Sequence, residues 1–151
     1  MENIQGFIET CQANKLKITP QRVAIYRELM RKAEHPTADE VYRRVRAEFP
    51  NISFDTVNRT LLTLTDMGIL DAVEVFGGGK RFDRDPAEHH HFHCTVCRRV
   101  YDFYDTDLEN IEIPDPIRQK FRITGRRLIL KGICESCLAK QGQAGDEQQK
   151  D

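Results

Sequence analysis

Two C-x-x-C pairs constrain this 151-residue chain more than any other feature of its sequence. They are Cys94-Thr95-Val96-Cys97 and Cys134-Glu135-Ser136-Cys137, with 36 residues between them. Each spacing lets two thiolates reach one ion, and four thiolates complete the tetrahedron that structural zinc prefers. The sequence therefore predicts a closed zinc site that joins distant parts of the chain and offers no open position to a substrate.

Other interpretations of the cysteines stay open on the residues alone. The pairs could be two redox-active dithiols or unrelated buried cysteines. A rubredoxin-like iron site would use the same four ligands, but Arg98 and Leu138 stand where tight knuckles favour glycine. The fifth cysteine, Cys11, lies on the apolar stripe of a predicted helix, so we expect a buried small hydrophobe there and not a reactive thiol.

Composition favours a soluble, cytoplasmic protein. The chain has 23 Lys+Arg and 24 Asp+Glu, which gives a formal net charge of −1. No apolar run approaches the ~20 residues that a membrane span needs, and residues 1–5 lack the basic start of a signal peptide. We expect a cytoplasmic location without membrane contact. In such a reducing compartment, paired cysteines bind metal more often than they form disulfides.

The first half of the chain predicts helices and then a hairpin. Residues 1 to about 69 have helical periodicity, and Thr19, Thr37 and Ser53 are placed as N-caps of the last three of four helices. Residues 70–76 and 80–83 flank three consecutive glycines, which indicates a β-hairpin. We predict a winged helix-turn-helix DNA-binding domain over residues 1–84 of an α+β protein.

The second half predicts a small α/β domain over residues 85–138. Its strand candidates are 91–94, 100–103 and 123–130, with a short helix between about 107 and 121. Residues 139–151 have nothing apolar to bury, so we expect a disordered tail.

A histidine cluster, Glu88-His89-His90-His91-Phe92-His93, lies directly before the first cysteine pair. On a strand, His89, His91 and His93 would share one face. Imidazoles with carboxylates would form a harder site than four thiolates, suited to Fe²⁺, Mn²⁺ or Zn²⁺. Spacing does not choose among the nearby carboxylates, which are Asp83, Asp85, Glu88 and Asp102. On the residues alone, His35 is an ordinary loop histidine.

Several motifs in order carry a family resemblance. They are His35-Pro36-Thr37-Ala38-Asp39-Glu40-Val41-Tyr42, Phe49-Pro50-Asn51-Ile52-Ser53 before Thr56-Val57, Arg81-Phe82-Asp83, the histidines, and both cysteine pairs. Over about residues 15–138 the chain resembles the ferric uptake regulator family of metal-dependent transcriptional repressors. The resemblance implies a homodimer with a winged helix, a hinge and a dimerisation domain. It also implies one structural zinc ion per subunit, bound by Cys94, Cys97, Cys134 and Cys137.

The resemblance also implies a regulatory Fe²⁺ or Mn²⁺ site, with ligands at His35, Asp83, His89, His91 and Asp102. Iron-sensing members typically have glutamate at the last position and peroxide sensors aspartate, so Asp102 favours peroxide sensing. In that branch Fe²⁺ reacts with hydrogen peroxide and a ligand histidine is oxidised, which disables the repressor. His35 and His89 are the candidates for this oxidation, and Mn²⁺ would occupy the site without that chemistry.

Two positions depart from the family pattern. A third metal site common in the family needs a histidine where this chain has Arg126, so we expect no third site although Glu109 is in place. In the DNA-reading helix the usual tyrosine is replaced by Asn58, which predicts a different operator.

We predict that the partner is double-stranded DNA with a palindromic operator. Residues 1–60 carry ten Lys/Arg and eight Asp/Glu, so no broad basic face is evident. The predicted DNA contacts are Lys15, Lys17, Arg22, Asn58 and Arg59. We also expect the hairpin residues Lys80 and Arg81 to lie beside phosphate.

The leading prediction is thus a peroxide-responsive, metal-dependent repressor that is not an enzyme. The alternative in the same class is an iron- or zinc-responsive repressor of metal uptake without peroxide chemistry. A metallohydrolase built on the histidines is a remote alternative, because the sequence has no H-E-x-x-H motif.

Overall fold

The computed structural model describes residues 4–31, 34–75 and 77–146. The chain divides into two compact units, Met1–Pro86 and Ala87–Asp151. The elements of the first unit are α1 (Ile4–Ala13), α2 (Pro20–Met30), α3 (Ala38–Val45), α4 (Phe54–Asp66), β1 (Asp71–Val75) and β2 (Gly79–Asp83). Those of the second are β3 (His90–Cys94), β4 (Val100–Phe103), α5 (Thr106–Glu109), α6 (Asp115–Lys120), β5 (Ile129–Gly132) and α7 (Glu135–Asp146).

Side-chain caps start three helices of the first unit, as predicted. The Thr19 hydroxyl accepts a hydrogen bond from the N–H of Arg22 at 3.2 Å, and Ser53 accepts one from the N–H of Thr56 at 3.1 Å. Thr37 forms a full capping box, because the Glu40 carboxylate accepts the Thr37 N–H at 2.7 Å in return. These bonds satisfy N–H groups that the first helical turn leaves without partners.

The core of the first unit is aliphatic and aromatic. Phe7 of α1 stacks on Tyr26 of α2 with ring centroids 4.2 Å apart, and both side chains are buried. Cys11 is fully buried in the same cluster, which confirms its predicted role as a small core residue. Burial raises the pKa of its thiol.

The hairpin closes the first unit and carries part of a candidate site. β1 and β2 are antiparallel, with Asp71 opposite Asp83 and Val75 opposite Gly79. Gly77 and Gly79 have φ of 71° and 74°, in the left-handed region that favours glycine. Residue 76, which the sequence placed in the first strand, lies outside the described residues. Helices followed by this hairpin give the predicted winged-helix arrangement.

The second unit is built on a three-stranded sheet in the order β4-β3-β5. β3 is antiparallel to β4 and parallel to β5. The predicted strand over 123–130 is wrong in its bounds, because β5 begins only at Ile129. Parallel pairing sets Cys94 opposite Gly132, which brings the second cysteine pair beside the first. The predicted single helix is two short ones, separated where Pro114 interrupts helical hydrogen bonding.

The predicted disordered tail is wrong for residues 139–146, which are helical in α7. The N–H groups of Cys137 and Leu138 both bond to the carbonyl of Cys134, so the second cysteine pair forms the first turn of this helix. Alanine, lysine and glutamine then favour the helix, whereas Gly142 and Gly145 oppose it. Residues 147–151 of the predicted tail lie outside the described residues. Nowhere in the described chain is a helix both long and apolar enough to span a membrane.

Candidate metal centres

The four paired cysteines converge at one point in the second unit. The sulfurs of Cys94 and Cys137 are 3.9 Å apart, those of Cys97 and Cys134 are 3.7 Å apart, and all four lie within 4.8 Å of one another. Four thiolates at ordinary Zn–S bond lengths around one ion are about 3.8 Å apart. The sulfur positions therefore fit a tetrahedral zinc ion, which supports zinc over separate redox dithiols.

A left-handed residue shapes the first cysteine pair. Arg98 has φ of 62°, and its N–H donates to the carbonyl of Cys94 at 3.0 Å. The N–H of Cys94 in turn donates to the carbonyl of Arg99 at 3.0 Å. The chain thus makes a tight knuckle without the usual glycine. The lack of a glycine after Cys97 therefore does not disfavour an iron ion bound by the same four cysteines.

Hydrogen bonds favour ionised sulfur at two of the four cysteines. Burial opposes ionisation of Cys94, but donors that include the N–H of Cys134 outweigh it and lower the pKa of that thiol to about 6. The Tyr101 hydroxyl, followed by the N–H of Cys137, lowers the pKa of Cys134. Burial is the main cause that raises the pKa of Cys137 to about 12. Hydrogen bonds thus favour the thiolate form that zinc needs at Cys94 and Cys134, whereas burial opposes it at Cys137.

A second set of donors lies at the start of β3, directly before it and on β4 in the same unit. His91 is opposite Asp102 in the strand register, and the Nε2 atoms of His89 and His91 lie 3.2 and 3.3 Å from Asp102 Oδ1. Both imidazoles are buried. His89 Nδ1 lies 2.8 Å from the carbonyl oxygen of Ala87, which can only accept, so that nitrogen carries a proton. In the neutral ring Nε2 then has a lone pair directed at a carboxylate, and a cation between them makes the contact favourable.

A matching imidazole and carboxylate lie in the first unit. His35 Nε2 is 3.2 Å from Asp83 Oδ2, and the two side chains are 5% and 3% exposed. Asp83 lies at the end of β2, and its other carboxylate oxygen accepts the N–H of Asp85 at 2.9 Å. The pair has the donor types that suit Fe²⁺ or Mn²⁺.

The contacts distinguish among the acidic and histidine residues that spacing left open. Asp83 and Asp102 face imidazoles. Asp85 instead donates its main-chain N–H to the Asp83 carboxylate, and the Glu88 side chain lies beside Gly125. His90 Nδ1 accepts the N–H of Leu128 at 3.2 Å, so it supports β3 and β5. Among the described residues, His93 belongs to neither group of converging donors. Arg126, at the third-site position, donates to the carbonyl of Ile111.

Three of the predicted DNA-contacting residues line one open cleft of about 470 Å³. Lys17 and Arg22, at the start of α2, and Arg59 on α4 surround it together with several threonines. Arg59 is paired with Asp55 at 2.7 Å. Lys15 is exposed just after α1 with φ of 55°, and neither it nor Asn58 is among the residues that line the cleft.

Arg81 and Tyr101 make contacts that the sequence did not predict. Arg81 was predicted beside phosphate, but its side chain is 15% exposed and donates to the carbonyl of His35 at 2.8 Å. Tyr101 was not singled out, yet its hydroxyl bonds to Cys134, which raises the pKa of the tyrosine to about 12. The alternation of side chains along a strand could have predicted both contacts. It places the side chains of Arg81 and Lys80 on opposite faces of the hairpin, and those of Tyr101 and Asp102 on opposite faces of the sheet.

A winged helix joined to a thiolate-rich sheet unit defines a metal-responsive regulator of transcription. The family model described as "Ferric uptake regulator family" matches residues 13–131. The peroxide-responsive repressor PerR of Staphylococcus saprophyticus is 33% identical over 137 residues, which cover 91% of this chain and 93% of that protein. The chain belongs to the ferric uptake regulator family.

Solved structures show the same fold. The Campylobacter jejuni peroxide stress regulator is 27% identical with a TM-score of 0.63, over 91% of this chain and 100% of that one. The Helicobacter pylori ferric uptake regulator, described as having three functional metal-binding sites, has a TM-score of 0.72 at 22% identity, over 89% of this chain and 91% of that one. Proteins of this family are DNA-binding, dimeric transcriptional regulators that hold metals, so the metallohydrolase alternative is excluded.

Proposed function

We propose that this chain is a cytoplasmic, homodimeric repressor that binds a palindromic operator in its metal-loaded form and releases it after hydrogen peroxide oxidises a ligand histidine. The observation that carries the proposal is Asp102 in contact with both His89 and His91. Aspartate at this position is typical of the peroxide-sensing branch. The PerR relative supports the same branch.

The proposed regulatory site takes His89, His91 and Asp102 from one unit and His35 and Asp83 from the other. One ion bound by both sets would hold the two units in a single orientation. Such an ion favours DNA binding only through its higher affinity for that orientation, and a shift from 1:99 to 99:1 needs about 5.5 kcal/mol. Loss of a single imidazole ligand is enough to remove much of that difference.

The residues around the ion fix where oxidation can occur. Bound Fe²⁺ would supply the redox chemistry of this step: hydrogen peroxide oxidises a ligand imidazole by two electrons, one of its oxygen atoms enters a C–H bond of the ring, the other leaves as water, and the iron undergoes no net change. His35 and His89 are the proposed targets. Both are buried, as are His90, His91 and His93, so burial does not distinguish them and oxidation confined to these two requires the bound metal.

The proposed dimer is supported by exposed apolar side chains in the second unit. Phe121, Tyr104 and Leu138 are 65%, 60% and 54% exposed. Large apolar side chains at the surface are available for burial against a second copy of the chain. A second copy would place two α4 helices on one face of DNA, about one helical turn or a multiple of it apart.

Mass spectrometry after peroxide treatment tests the proposal. The protein is loaded with Fe²⁺ without oxygen, treated with hydrogen peroxide and digested, with the Mn²⁺-loaded protein as control. We expect a gain of one oxygen atom on a peptide with His35 or His89 in the iron form only, together with loss of DNA binding. Intact DNA binding and unmodified histidines would establish the iron- or zinc-responsive alternative instead.

A matched variant, Asp102→Glu, separates sensing from binding. The longer carboxylate keeps the charge and the ligand type, so metal-dependent DNA binding is retained. We expect much slower histidine oxidation, because glutamate at this position is typical of iron sensors. Equal oxidation in the two proteins would show that Asp102 does not determine peroxide sensitivity.

A further inference from the structure

Arg81 of β2 reaches the segment that carries His35. Its guanidinium donates to the main-chain carbonyl of His35 at 2.8 Å and lies 3.4 Å from the Glu40 carboxylate. The Arg81 side chain is only 15% exposed although it lies on the hairpin. A largely buried guanidinium is stabilised by pairing and hydrogen bonding, and these partners lie on the segment that leads into α3 and in the first turn of that helix.

A main-chain bridge attaches the same segment to β2, and a capping bond ties it to the partner of Arg81. The N–H of Phe82 donates to the carbonyl of Pro36 at 2.9 Å, and Thr37 forms an isolated antiparallel bridge with Arg81. Glu40, which pairs with Arg81, also accepts the N–H of Thr37 at 2.7 Å. The main chain from His35 to Thr37 is therefore held along the strand that ends in Asp83.

We infer that Arg81 is a positioning residue of the regulatory metal site. It acts through the main chain of His35, so that the imidazole meets Asp83 with Nε2 3.2 Å from the carboxylate oxygen. Without Arg81, the segment before α3 becomes ordered only when metal binds. The free-energy cost of that ordering then lowers the metal affinity. This inference rests on the proposed role of His35 as a regulatory ligand.

The same contacts oppose a role of Arg81 in DNA binding. A phosphate contact needs a guanidinium that extends into solvent, whereas this one points to a carbonyl and a carboxylate within its own unit. Lys80, the neighbour on β2, is exposed and points to the other side of the hairpin. Lys80 therefore supplies the matched control.

Mn²⁺ titration of the zinc-loaded, full-length protein tests the inference. We expect Arg81→Met to weaken Mn²⁺ binding about ten-fold, as loss of a group that orients a ligand does, and Lys80→Met to leave it unchanged. Arg81→Lys retains charge but not the planar fork, so we expect an intermediate loss. Zinc content stays at one ion per subunit in all three variants. Unchanged Mn²⁺ affinity in Arg81→Met would overturn the inference.

A double-mutant cycle shows whether Arg81 acts through His35. In a His35→Ala background we expect Arg81→Met to cause no further loss of Mn²⁺ affinity, because the oriented ligand is already gone. An equal loss in both backgrounds would mean a general structural effect and would contradict the inference. If His35→Ala alone leaves Mn²⁺ affinity unchanged, the regulatory assignment of His35 fails and the role of Arg81 falls with it.

DNA affinity at saturating Mn²⁺ supplies a readout that a phosphate contact would change. We expect Arg81→Met to bind operator DNA as the unmodified protein does once the metal site is full, with the same salt dependence. His35→Ala remains impaired. A salt slope reduced by about one in Arg81→Met would assign the residue to phosphate and overturn the inference.

Discussion

Arg98 holds a backbone conformation that costs an L-residue free energy. Its φ of 62° lies in the left-handed region, where a Cβ atom crowds the following carbonyl at a cost of about 1–2 kcal/mol. The knuckle persists because two main-chain hydrogen bonds around Cys94 and the convergence of the four sulfurs fix it.

Replacement of Arg98 by glycine and by alanine separates backbone from side chain. Arg98→Ala keeps the strained conformation, whereas Arg98→Gly relieves it. We expect the glycine variant to exceed the alanine variant in free energy of unfolding by about 1 kcal/mol. Denaturant unfolding of the zinc-loaded proteins measures the difference. Equal stabilities would show that position 98 carries no strain.

The Tyr101 hydroxyl is a second residue-scale feature. It bonds to Cys134 and lowers the pKa of that thiol, so it stabilises the thiolate that zinc requires. We expect Tyr101→Phe to release zinc to a chelator about ten-fold faster, since only the hydroxyl is lost. In the cobalt-loaded protein the thiolate-to-metal charge-transfer band should move to lower energy.

Tyr104→Phe is the matched control for that measurement. Tyr104 is exposed and stacks on His89 with centroids 5.3 Å apart, away from the sulfurs. Its zinc release is expected to match the unmodified protein. Tyr101→Phe with unchanged release and an unchanged band would contradict the role of the hydroxyl.

At the scale of elements, local chemistry predicted helix starts better than strand bounds. Thr19, Thr37 and Ser53 cap their helices through their own hydroxyls, an interaction of residues three apart that sequence shows directly. β5 depends on pairing with β3, 38 residues away where His91 meets Ile129, and sequence carries no local sign of that register. The partners of Arg81 were missed for the same reason.

Ser53 is expected to stabilise α4, the predicted DNA-reading helix. Its hydroxyl accepts the N–H of Thr56 at 3.1 Å, so Ser53→Ala should lower the free energy of unfolding by about 1 kcal/mol. Ser53→Asp restores an acceptor and should recover most of the loss. Thermal or denaturant unfolding checks both variants, and a fully stable alanine variant would mean that the cap contributes nothing.

At the scale of the whole molecule, the two units are stabilised by different chemistry. The first has a core of aliphatic and aromatic side chains. Among the described residues of the second, one buried hydrophobic cluster is formed by Cys94, Cys134 and Cys137 with Phe92 packed against it. Small units with so little apolar core depend on metal for folding.

Zinc removal should therefore affect the units unequally. With a strong chelator under reducing conditions, we expect the sheet of the second unit and the dimer to be lost while the helices of the first unit persist. Amide exchange resolved by residue measures this. Protection retained in β3 and β5 without zinc would show that the second unit folds without metal.

Strand β4 links the two metal centres within the second unit. Tyr101 and Asp102 are neighbours on it, and alternate direction places the tyrosine against Cys134 and the aspartate against His89 and His91 of the proposed regulatory site. A shift of β4 that moves Tyr101 relative to the cysteines therefore also moves Asp102 relative to the histidines. Under the proposed function, a cell starved of zinc would hold a repressor unable to report peroxide, so its oxidative defence would depend on its zinc supply.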